Sequence, residues 1–329
     1  MAGMGKRMRP HTLTIPKPLV PIAGKPIVQR LVEDIAKVCH EPIEEVAFII
    51  GNFGAAVEKQ LLEIAASVGA KGSIHYQDQP LGTAHAIMCA KDALQDKVVV
   101  AFADTLFNAD FKLDTSADGT IWVQQVEDPK AFGVVKLNEN NEITDFVEKP
   151  ETFVSDLAII GIYYFKDGAY LRSELQYLLD NNITDKGEYQ LTNALENMKN
   201  KGTKFVPGKI SEWLDCGNKN ATVFTNQRYL EYIKDEKDLV SPSATITNSV
   251  IIPPVYIAEG ASVTNSVVGP HVSIGKTTSV SNSIIRNSII QESTQLRNAN
   301  MENSMVGSFV TLQGKQSDLS IGDYNTIIE

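Results

Sequence analysis

The most informative segment of this 329-residue chain is AGMGKRMRP at residues 2–10, together with PKP at residues 16–18. Two glycines with one residue between them let the backbone approach a phosphate and turn its N–H groups toward it. Arg7 adds a planar set of donors that suits phosphate oxygens, and Lys17 lies in an extended, proline-flanked segment. The stretch therefore predicts a polyphosphate pocket, although a short match of this kind also fits a solvated glycine-rich turn.

The pattern continues with GKP at residues 24–26. Taken together, the glycines, basic residues and prolines resemble the N-terminal signature of the sugar-nucleotidyltransferase family, whose members join a nucleoside triphosphate to a sugar 1-phosphate and release pyrophosphate. The resemblance implies catalytic roles for Arg7 and Lys17. It also implies nucleotide contacts for three residues of the loop, Ala2, Gly3 and Gly5. Lys6 departs from the usual Thr or Ser. The family also has a short apolar strand before the loop, which is either absent here or belongs to residues that precede this sequence.

The composition limits the classes of protein to which the chain can belong. Its formal net charge of −10 and its isoelectric point of about 5.1 argue against a nucleic-acid partner. No apolar run is long enough to span a bilayer, so we expect no membrane partner. Cys39, Cys89 and Cys216 are far apart and lack zinc-like spacing, which favours reduced thiols in a cytoplasmic protein.

Helix and strand patterns alternate through the first part of the chain. Apolar residues at helical spacing follow Pro26, and continuous apolar runs at residues 46–50 and 98–102 are typical of buried strands. This order predicts an α/β fold with a Rossmann-like, open, mostly parallel sheet, whose ligands lie beyond the carboxyl ends of the strands. We assign residues 1–238 to this nucleotidyltransferase catalytic domain, because the composition changes after about Leu239.

A segment after one predicted strand, YQDQPLGTA at residues 76–84, is suited to reading a nucleobase. The Gln77 amide offers a donor and an acceptor, which matches the imide edge of uracil or thymine. Gly82 lets the chain pass close to a flat base or a ribose. In the family this segment contacts the base, so the resemblance implies nucleotide contacts for Gln77, Gly82 and Thr83. A surface glutamine beside a helix N-terminus is the alternative.

Two aspartates lie where the family holds a metal ion. Asp104 follows the apolar run at residues 98–102, where a carboxylate can hold Mg²⁺ that bridges phosphate oxygens, although a turn former is the commoner role. The family has G-D-N at this place, whereas alanine and threonine flank Asp104 here. WLDCG at residues 213–217 resembles the family's W-x-D-x-G, which implies that Asp215 is the second carboxylate on the same Mg²⁺.

FGVV at residues 132–135 and FVEKP at residues 146–150 look like half-buried strands that end in polar residues. E-K-P resembles the family's sugar-phosphate motif, which implies that Lys149 binds the phosphate and Glu148 the sugar, with Gly133 in the same site. Because neighbouring residues on a strand point to opposite faces, we predict that Glu148 and Lys149 do not pair with each other.

The tail, residues 239–329, carries an internal repeat. Asn-Ser followed by two β-branched residues starts at positions 248, 265 and 282, which are evenly spaced (265−248 equals 282−265), and related copies start at 287 and 303. The repeat indicates stacked coils, and three edges of about six residues per coil resemble the hexapeptide left-handed parallel β-helix. Because the ends of such coils have unpaired strand edges, we predict a homo-oligomer.

The resemblance predicts an enzyme that takes a nucleoside triphosphate, with dTTP or UTP favoured, and a sugar 1-phosphate, with glucose 1-phosphate favoured. Many members have Asn where this chain has Ile159, which leaves the sugar open. A mannose-1-phosphate guanylyltransferase, a bifunctional uridylyltransferase and acyltransferase, and a non-catalytic regulatory subunit are the alternatives. An acyltransferase would depend on His271, the only histidine in the tail, which is more often a solvated turn residue. A regulatory subunit could lose the catalytic and metal-binding residues without penalty. This chain keeps all four of them, which disfavours that alternative: Arg7, Lys17, Asp104 and Asp215.

Overall fold

The computed structural model of the protein describes residues 5–108, 111–315, 320, 321 and 326. The chain divides into two compact units. The first contains residues 1–20 and 25–222, and the second contains residues 21–24 and 223–329. The domain boundary between residues 238 and 239 stays a prediction.

Helices in the described residues belong mostly to the first unit. The helix α1 begins directly after Pro26, as predicted, and buries an apolar face that includes Leu31. The helix α4 begins at a cap in which Asp167 Oδ1 accepts a hydrogen bond from the Tyr170 N–H at 2.8 Å. The α-helices are α1 Ile27–Val38, α2 Ala55–Ser67, α3 Thr83–Met88, α4 Gly168–Asp180, α5 Leu191–Asn200 and α6 Lys219–Tyr232. Three short 3-10 helices span Lys6–Met8, Lys17–Leu19 and Lys91–Ala93.

Strands alternate with these helices before the tail. They are β1 Pro21–Ile22, β2 Lys25–Pro26, β3 Glu45–Ile50, β4 Lys71–Tyr76, β5 Val98–Ala101, β6 Thr105–Phe107, β7 Gly119–Gln125, β8 Gly133–Leu137, β9 Ile143–Glu148, β10 Leu157–Phe165, β11 Phe205–Gly208 and β12 Trp213–Asp215. Six of them form one sheet in the order β11-β7-β10-β8-β9, with β5 also paired to β10. The strands β5, β7, β8 and β11 run in one direction, and β10 and β9 run in the other. The predicted Rossmann-like, mostly parallel fold is confirmed, with β9 and β10 as antiparallel strands within it.

The core of the first unit lies between this sheet and the helices α3, α4 and α5. Aromatic rings from two strands meet there, because Phe165 and Phe205 pack edge to face with centroids 6.3 Å apart. Aliphatic residues of the helices complete the cluster: Ile87, Leu171, Leu175, Leu178, Leu191, Leu195 and Met198. This core fixes the strand ends from which the functional side chains project.

Two smaller strand pairs carry predicted site residues. The parallel strands β3 and β4 run side by side to their ends, and Gln77 continues the pairing because its N–H donates to the Ile50 carbonyl at 2.9 Å. The antiparallel strands β6 and β12 place Asp215 opposite Thr105. Each pair therefore delivers a polar residue at its end.

The second unit contains a parallel β-solenoid of about four turns, consistent with the predicted left-handed β-helix. Its strands are β13 Thr245–Thr247, β14 Val250–Ile251, β15 Val255–Ile257, β16 Ser262–Thr264, β17 Val267–Val268, β18 Val272–Ile274, β19 Ser279–Ser281, β20 Ile284–Ile285, β21 Ser288–Ile290, β22 Gln295–Arg297, β23 Asn300–Met301, β24 Met305–Val306 and β25 Thr311–Gln313. They form three parallel sheets, and each sheet takes one strand from each coil. Aliphatic side chains fill the interior, among them Ile257, Val263, Val268, Ile274, Val280, Ile285, Ile290 and Leu296.

The even spacing of the repeat holds only for the first coils. Val255 pairs with Val272, and Val272 in turn pairs with Ser288, so the second step along the chain is shorter than the first by one residue. The corner between β17 and β18 has three residues, whereas the corner between β20 and β21 has two, Arg286 and Asn287. The shorter corner removes one residue per coil without disturbing the stacking of the strands.

The Asn-Ser dipeptides of the repeat have a structural explanation. Asn248, Asn265 and Asn282 have φ angles of 49°, 50° and 49°, a left-handed conformation that asparagine tolerates better than most residues. Each following serine connects two coils: the Ser266 N–H donates to Ser249 Oγ at 3.1 Å, and the Ser283 N–H donates to Ser266 Oγ at 3.0 Å. The dipeptide therefore turns the chain and satisfies a backbone donor of the next coil.

Among the described residues, no helix has both the length and the apolar character needed to cross a membrane. The cytoplasmic location stays a prediction.

Candidate active site

Lys17 and Asp104, two of the predicted site residues, form an ion pair. Lys17 begins a short 3-10 helix whose N-cap is Pro16, and its Nζ lies 2.9 Å from Asp104 Oδ2. The Lys17 side chain is 9% exposed, whereas that of Asp104 is 47% exposed. The ammonium group is therefore fixed in a buried position, while its carboxylate partner remains accessible to a ligand from solvent.

Asp215 is placed beside this pair by the strands β6 and β12. Asp215 lies opposite Thr105 in this strand pair, and the Cys216 N–H donates to the Asp104 carbonyl oxygen at 3.0 Å. The Gly217 N–H donates to Asp215 Oδ1 at 2.9 Å, and a Cβ at position 217 would lie 2.9 Å from Asp215 Oδ2. The glycine of the W-x-D-x-G motif leaves room for this carboxylate, which a side chain at position 217 would force to shift.

The charges around Asp215 oppose one another. Burial raises the pKa of the Asp215 carboxyl above its usual value, Lys17 acts to lower it, and the negative charge of Asp104 raises it further. Hydrogen bonding by Gly217 and the charge of Arg7 also act to lower this pKa. Two neighbouring carboxylates make a site that favours a cation, because added positive charge relieves their repulsion.

The N-terminal loop is described only from Gly5 onward, so Ala2 and Gly3 lie outside the described residues. Gly5 has a φ of 56°, and a Cβ there would lie 3.1 Å from both Lys17 Cβ and Thr12 Cγ2. Its carbonyl oxygen accepts hydrogen bonds from the Met8 N–H at 2.9 Å and from Thr12 Oγ1 at 2.8 Å. Gly5 therefore brings the loop against the Lys17 segment, as a phosphate-binding turn requires.

Arg7 lies in the 3-10 helix Lys6–Met8, and its side chain is exposed. Its guanidinium is close enough to influence the Asp215 carboxyl. The structure therefore brings together four of the predicted residues, Arg7, Lys17, Asp104 and Asp215, although they come from three separate parts of the sequence.

The loop that carries Gly82 is held by the backbone of Tyr189. Gly82 has a φ of 110°, and a Cβ there would lie 2.4 Å from the Tyr189 carbonyl oxygen, so glycine is required for both conformation and space. The Tyr189 N–H donates to the Leu81 carbonyl at 2.8 Å, and the Ala84 N–H donates to the Tyr189 carbonyl at 2.9 Å. These contacts fix the backbone around the predicted base site.

Gln77 lies against this loop with its amide already engaged. Its Nε2 donates to the Gly82 carbonyl oxygen at 3.1 Å and lies 3.1 Å from His85 Nδ1. None of the described residues gives a hydrogen bond to its Oε1. The sequence analysis expected the Gln77 amide to offer the base one donor and one acceptor. In the structure the NH₂ group is engaged, and Oε1 is the atom that can still bind a ligand.

The predicted sugar-phosphate residues also lie together. The strands β8 and β9 pair Gly133 with Glu148, and a Cβ at Gly133 would lie 3.1 Å from Glu148 Oε2. Lys149 Nζ lies 3.3 Å from Glu148 Oε1, so the prediction that these neighbours do not pair is wrong. The strand ends at Glu148, and Lys149 has a φ of 41°, so the alternation of faces no longer applies to it.

Residues at the start of α5 connect the base loop to Glu148, a role that the sequence analysis did not anticipate. The Leu191 N–H donates to Thr83 Oγ1 at 2.8 Å, and Thr83 Oγ1 donates to Gln190 Oε1 at 3.2 Å. On the next residue of the helix, Thr192 Oγ1 donates to Glu148 Oε2 at 3.3 Å. The sequence signal for this role was the pair of polar residues, Gln190 and Thr192, on either side of Leu191 at the start of the helix.

Buried aromatic residues relate the sugar-phosphate residues to the carboxylate pair. Burial raises the pKa of Tyr163, and the charges of Glu148 and Asp104 both add to that shift. The ring of Phe132 meets that of Trp213 edge to face, with centroids 5.1 Å apart. The residues predicted to bind the sugar phosphate and those predicted to bind the metal therefore face a common region of the first unit.

The donor set fits the predicted Mg²⁺. Among the residues that the structure describes, no group of three or more His, Cys, Asp or Glu side chains could hold a metal ion. Mg²⁺ is usually held by one or two carboxylates together with water and substrate phosphates. Asp104 and Asp215 supply such a pair, with Lys17 bonded to one of the four carboxylate oxygens.

The fold is an α/β domain followed by a hexapeptide solenoid. Residues 1–231 match the family described as "Nucleotidyl transferase", and residues 237–314 match "GlmU-like, C-terminal hexapeptide". The chain belongs to the nucleotidyl transferase family. A solved structure of a UDP-glucose pyrophosphorylase complexed with UDP-glucose has a TM-score of 0.57 and 24% identity, and it covers 70% of this chain and 96% of its own.

Several relatives are similar over about three quarters of the chain. The low-salt glycan biosynthesis nucleotidyltransferase of Haloferax volcanii is 30% identical over 75% of this chain and 70% of its own length. The glucose-1-phosphate thymidylyltransferase of Streptomyces antibioticus is 29% identical over 78% and 76%. The bifunctional protein GlmU of Methanocaldococcus jannaschii is 31% identical over 76% of this chain, but the match spans only 58% of that relative.

Proposed function

We propose that the protein transfers a nucleotidyl group from a nucleoside triphosphate to a sugar 1-phosphate and releases pyrophosphate. The observation that carries the proposal is the group of Lys17, Asp104 and Asp215. A buried ammonium ion-paired at 2.9 Å to an accessible carboxylate, with a second carboxylate on the adjacent strand, suits the handling of polyphosphates.

In the proposed reaction, an oxygen of the sugar 1-phosphate attacks the α-phosphorus, and the bond from that phosphorus to the bridging oxygen of pyrophosphate breaks. The attacking oxygen is already an anion, so no general base is required. Arg7 and Lys17 neutralise the triphosphate, and Lys149 neutralises the incoming sugar phosphate. Glu148 accepts hydrogen bonds from sugar hydroxyl groups. Catalysis in this scheme depends on positioning and on charge stabilisation.

Mg²⁺, held by Asp104 and Asp215, would supply positive charge between the two polyanionic substrates. The two carboxylates themselves would orient that charge toward the phosphates. The proximity of Asp215 to Asp104 supports this assignment, because the negative charge of Asp104 raises the pKa of the Asp215 carboxyl and a cation would offset that repulsion.

We favour dTTP or UTP as the nucleotide and glucose 1-phosphate as the sugar. The free acceptor on Gln77 suits the ring N–H of uracil or thymine, which cytosine lacks at that position. For the sugar, the printed name of the Streptomyces antibioticus relative supports glucose 1-phosphate. Guanylyl transfer is the alternative, since guanine also carries a ring N–H.

Pyrophosphate release across a panel of nucleoside triphosphates and sugar 1-phosphates tests the proposal. We expect release with dTTP or UTP and glucose 1-phosphate, and little with ATP or CTP. Equal rates with GTP would replace the base assignment by guanylyl transfer. Binding of nucleotide without pyrophosphate release for every pair would overturn the enzyme and favour a regulatory subunit.

We also propose a homo-oligomer that is assembled at least partly through the solenoid. Light scattering on the full chain and on a chain that ends at Lys237 tests this, and equal masses per chain would contradict it. An acyltransferase role for the solenoid receives no support from His271. Its Nε2 lies 2.6 Å from Glu231 Oε1, and its side chain is only 15% exposed, so this nitrogen already has a partner and the ring is largely covered.

A further inference from the structure

His85 is a residue of the base site to which the proposed function gives no role. It lies in the first turn of α3, three residues after Gly82, and its ring contacts the side chain of Gln77. The distance from His85 Nδ1 to Gln77 Nε2 is 3.1 Å, and the same Nε2 lies 3.1 Å from the Gly82 carbonyl oxygen. Two groups, the His85 ring and the Gly82 carbonyl, therefore meet at one amide nitrogen of Gln77.

The chemistry of the three groups determines which of them donates. The Gly82 carbonyl oxygen can only accept, so the Gln77 atom that faces it must be the NH₂ nitrogen. The same NH₂ group faces His85, so Nδ1 must accept the second hydrogen and carries no proton of its own. In the neutral imidazole the proton is then on Nε2. The histidine and the carbonyl together use both hydrogens of the amide.

This arrangement fixes the orientation of the Gln77 side chain. If the amide rotated by half a turn, Oε1 would face the Gly82 carbonyl oxygen, which can only accept. With the imidazole proton on Nε2, Oε1 would also face the Nδ1 lone pair, and three acceptors would meet. With the amide held as it is, Oε1 is the atom that remains for a ligand. A base that places a ring nitrogen there must carry a hydrogen on that nitrogen.

We infer that His85 is a positioning residue that holds the Gln77 amide with Oε1 presented to the nucleobase, and so helps to select uracil or thymine over cytosine. The inference rests on the proposed function, since it assumes that Gln77 contacts the base. Without the histidine, the amide has only the Gly82 carbonyl to fix it. The rotated form, which presents NH₂ to the base, can then pair with the unprotonated ring nitrogen of cytosine.

The test compares His85→Leu with His85→Asn in pyrophosphate release, using UTP, dTTP and CTP as the probes. Leucine removes the acceptor, whereas the asparagine Oδ1 can accept in place of Nδ1. For His85→Leu we expect kcat/KM with the preferred nucleotide to fall about tenfold, mainly through KM, as for one lost hydrogen bond, and the preference over CTP to shrink similarly. His85→Asn should retain most of the preference.

A double-mutant cycle separates positioning from a general packing effect. In a Gln77→Ala background, His85→Leu should cause no further loss of base preference, because the residue acts through the missing amide. His75→Leu is the matched control, since His75 also contacts a neighbouring polar side chain, Ser73 Oγ at 3.0 Å, and lies on the strand that precedes Gln77. It should leave the base preference unchanged. Melting curves of the His85 variants check the fold.

Two failures are distinguishable. If the wild type releases no pyrophosphate with any nucleotide, the proposed function fails and the inference fails with it. If the wild type is active and His85→Leu keeps its full preference over CTP, or if His85→Leu and Gln77→Ala have additive effects, the inference alone is overturned.

Discussion

The two units of this chain place their polar side chains in different ways. In the α/β unit each functional contact is unique and joins distant residues: Lys17 and Asp104 are 87 residues apart, and Thr83 and Leu191 are 108 residues apart. In the solenoid the same contact recurs from coil to coil, as in the hydrogen bonds from Ser266 to Ser249 and from Ser283 to Ser266. The difference indicates that one substitution should abolish a function in the first unit, whereas in the second it should weaken one coil.

The largest effect is expected for Asp215→Asn, which removes a charge from a unique cluster. We expect kcat to fall about a hundredfold or more, on the order of a lost electrostatic stabiliser. Activity assays under saturating Mg²⁺, with Asp128→Asn as an exposed control, check this. Full activity in EDTA, or in an Asp104→Asn and Asp215→Asn double variant, would contradict the role of the pair in holding a metal.

The stability of the same variant should move in the opposite sense from its activity. The folded state raises the pKa of Asp215, mainly through burial, so the folded chain binds the proton more tightly than the unfolded chain. The protonated Asp215 carboxyl therefore contributes stability to the folded chain at pH values below the pKa that Asp215 has in the unfolded chain. This contribution is lost as the pH rises through the pKa that Asp215 has in the folded chain. Asp215→Asn should therefore gain stability relative to the wild type as the pH rises, which melting curves between acidic and neutral pH measure.

An intermediate effect is expected for Gly217→Ala, which sharpens the comparison between the units. The new Cβ would lie 2.9 Å from Asp215 Oδ2, so the carboxylate must shift, and we expect activity to fall about tenfold through misplacement of the charge. Gly307→Ala in the solenoid is the matched control, because nothing lies within 4 Å of its added Cβ. If Gly217→Ala and Gly307→Ala were equally active, the position of the Asp215 carboxylate would not depend on the space that Gly217 leaves.

The smallest effect is expected for Asn265→Ala at a solenoid corner. The φ of 50° is unfavourable for alanine, so we expect a loss of about 1 kcal/mol in the free energy of unfolding and no change in kcat. Asn265→Gly tests the cause, because glycine accepts this φ and should lose less. Denaturant unfolding measures both variants. Equal losses for alanine and glycine would transfer the role of Asn265 to its hydrogen bond with Asn248, whose length is 2.7 Å, because both variants remove that bond.

The sequence predicted well those features that recur or follow local rules. The period of the Asn-Ser dipeptides predicted the solenoid, and Pro26 marked the start of α1. Local rules failed where tertiary contacts decide. The pairing of Glu148 with Lys149 depends on a left-handed φ at Lys149, which no residue pattern indicated.

The contacts within the site were the least predictable feature. The engagement of Gln77 with His85, and of Thr83 with Leu191, depends on how separate segments approach one another in space. The family resemblance supplied the residue types of the site, and the fold supplied their partners. For this reason the sequence could not show that the NH₂ group of Gln77 already has hydrogen-bond partners in the folded chain.

The corner between β17 and β18 shows where this chain can change its length. Inside a strand, one inserted residue would send every later side chain of that strand to the opposite face, so the aliphatic interior would be lost. At a corner, the three residues Gly269, Pro270 and His271 occupy the place that Arg286 and Asn287 fill one coil later, and the strands on either side remain aligned. Insertions and deletions between relatives of this solenoid are therefore expected to collect at its corners. Their sequences should be aligned coil by coil rather than by a constant spacing.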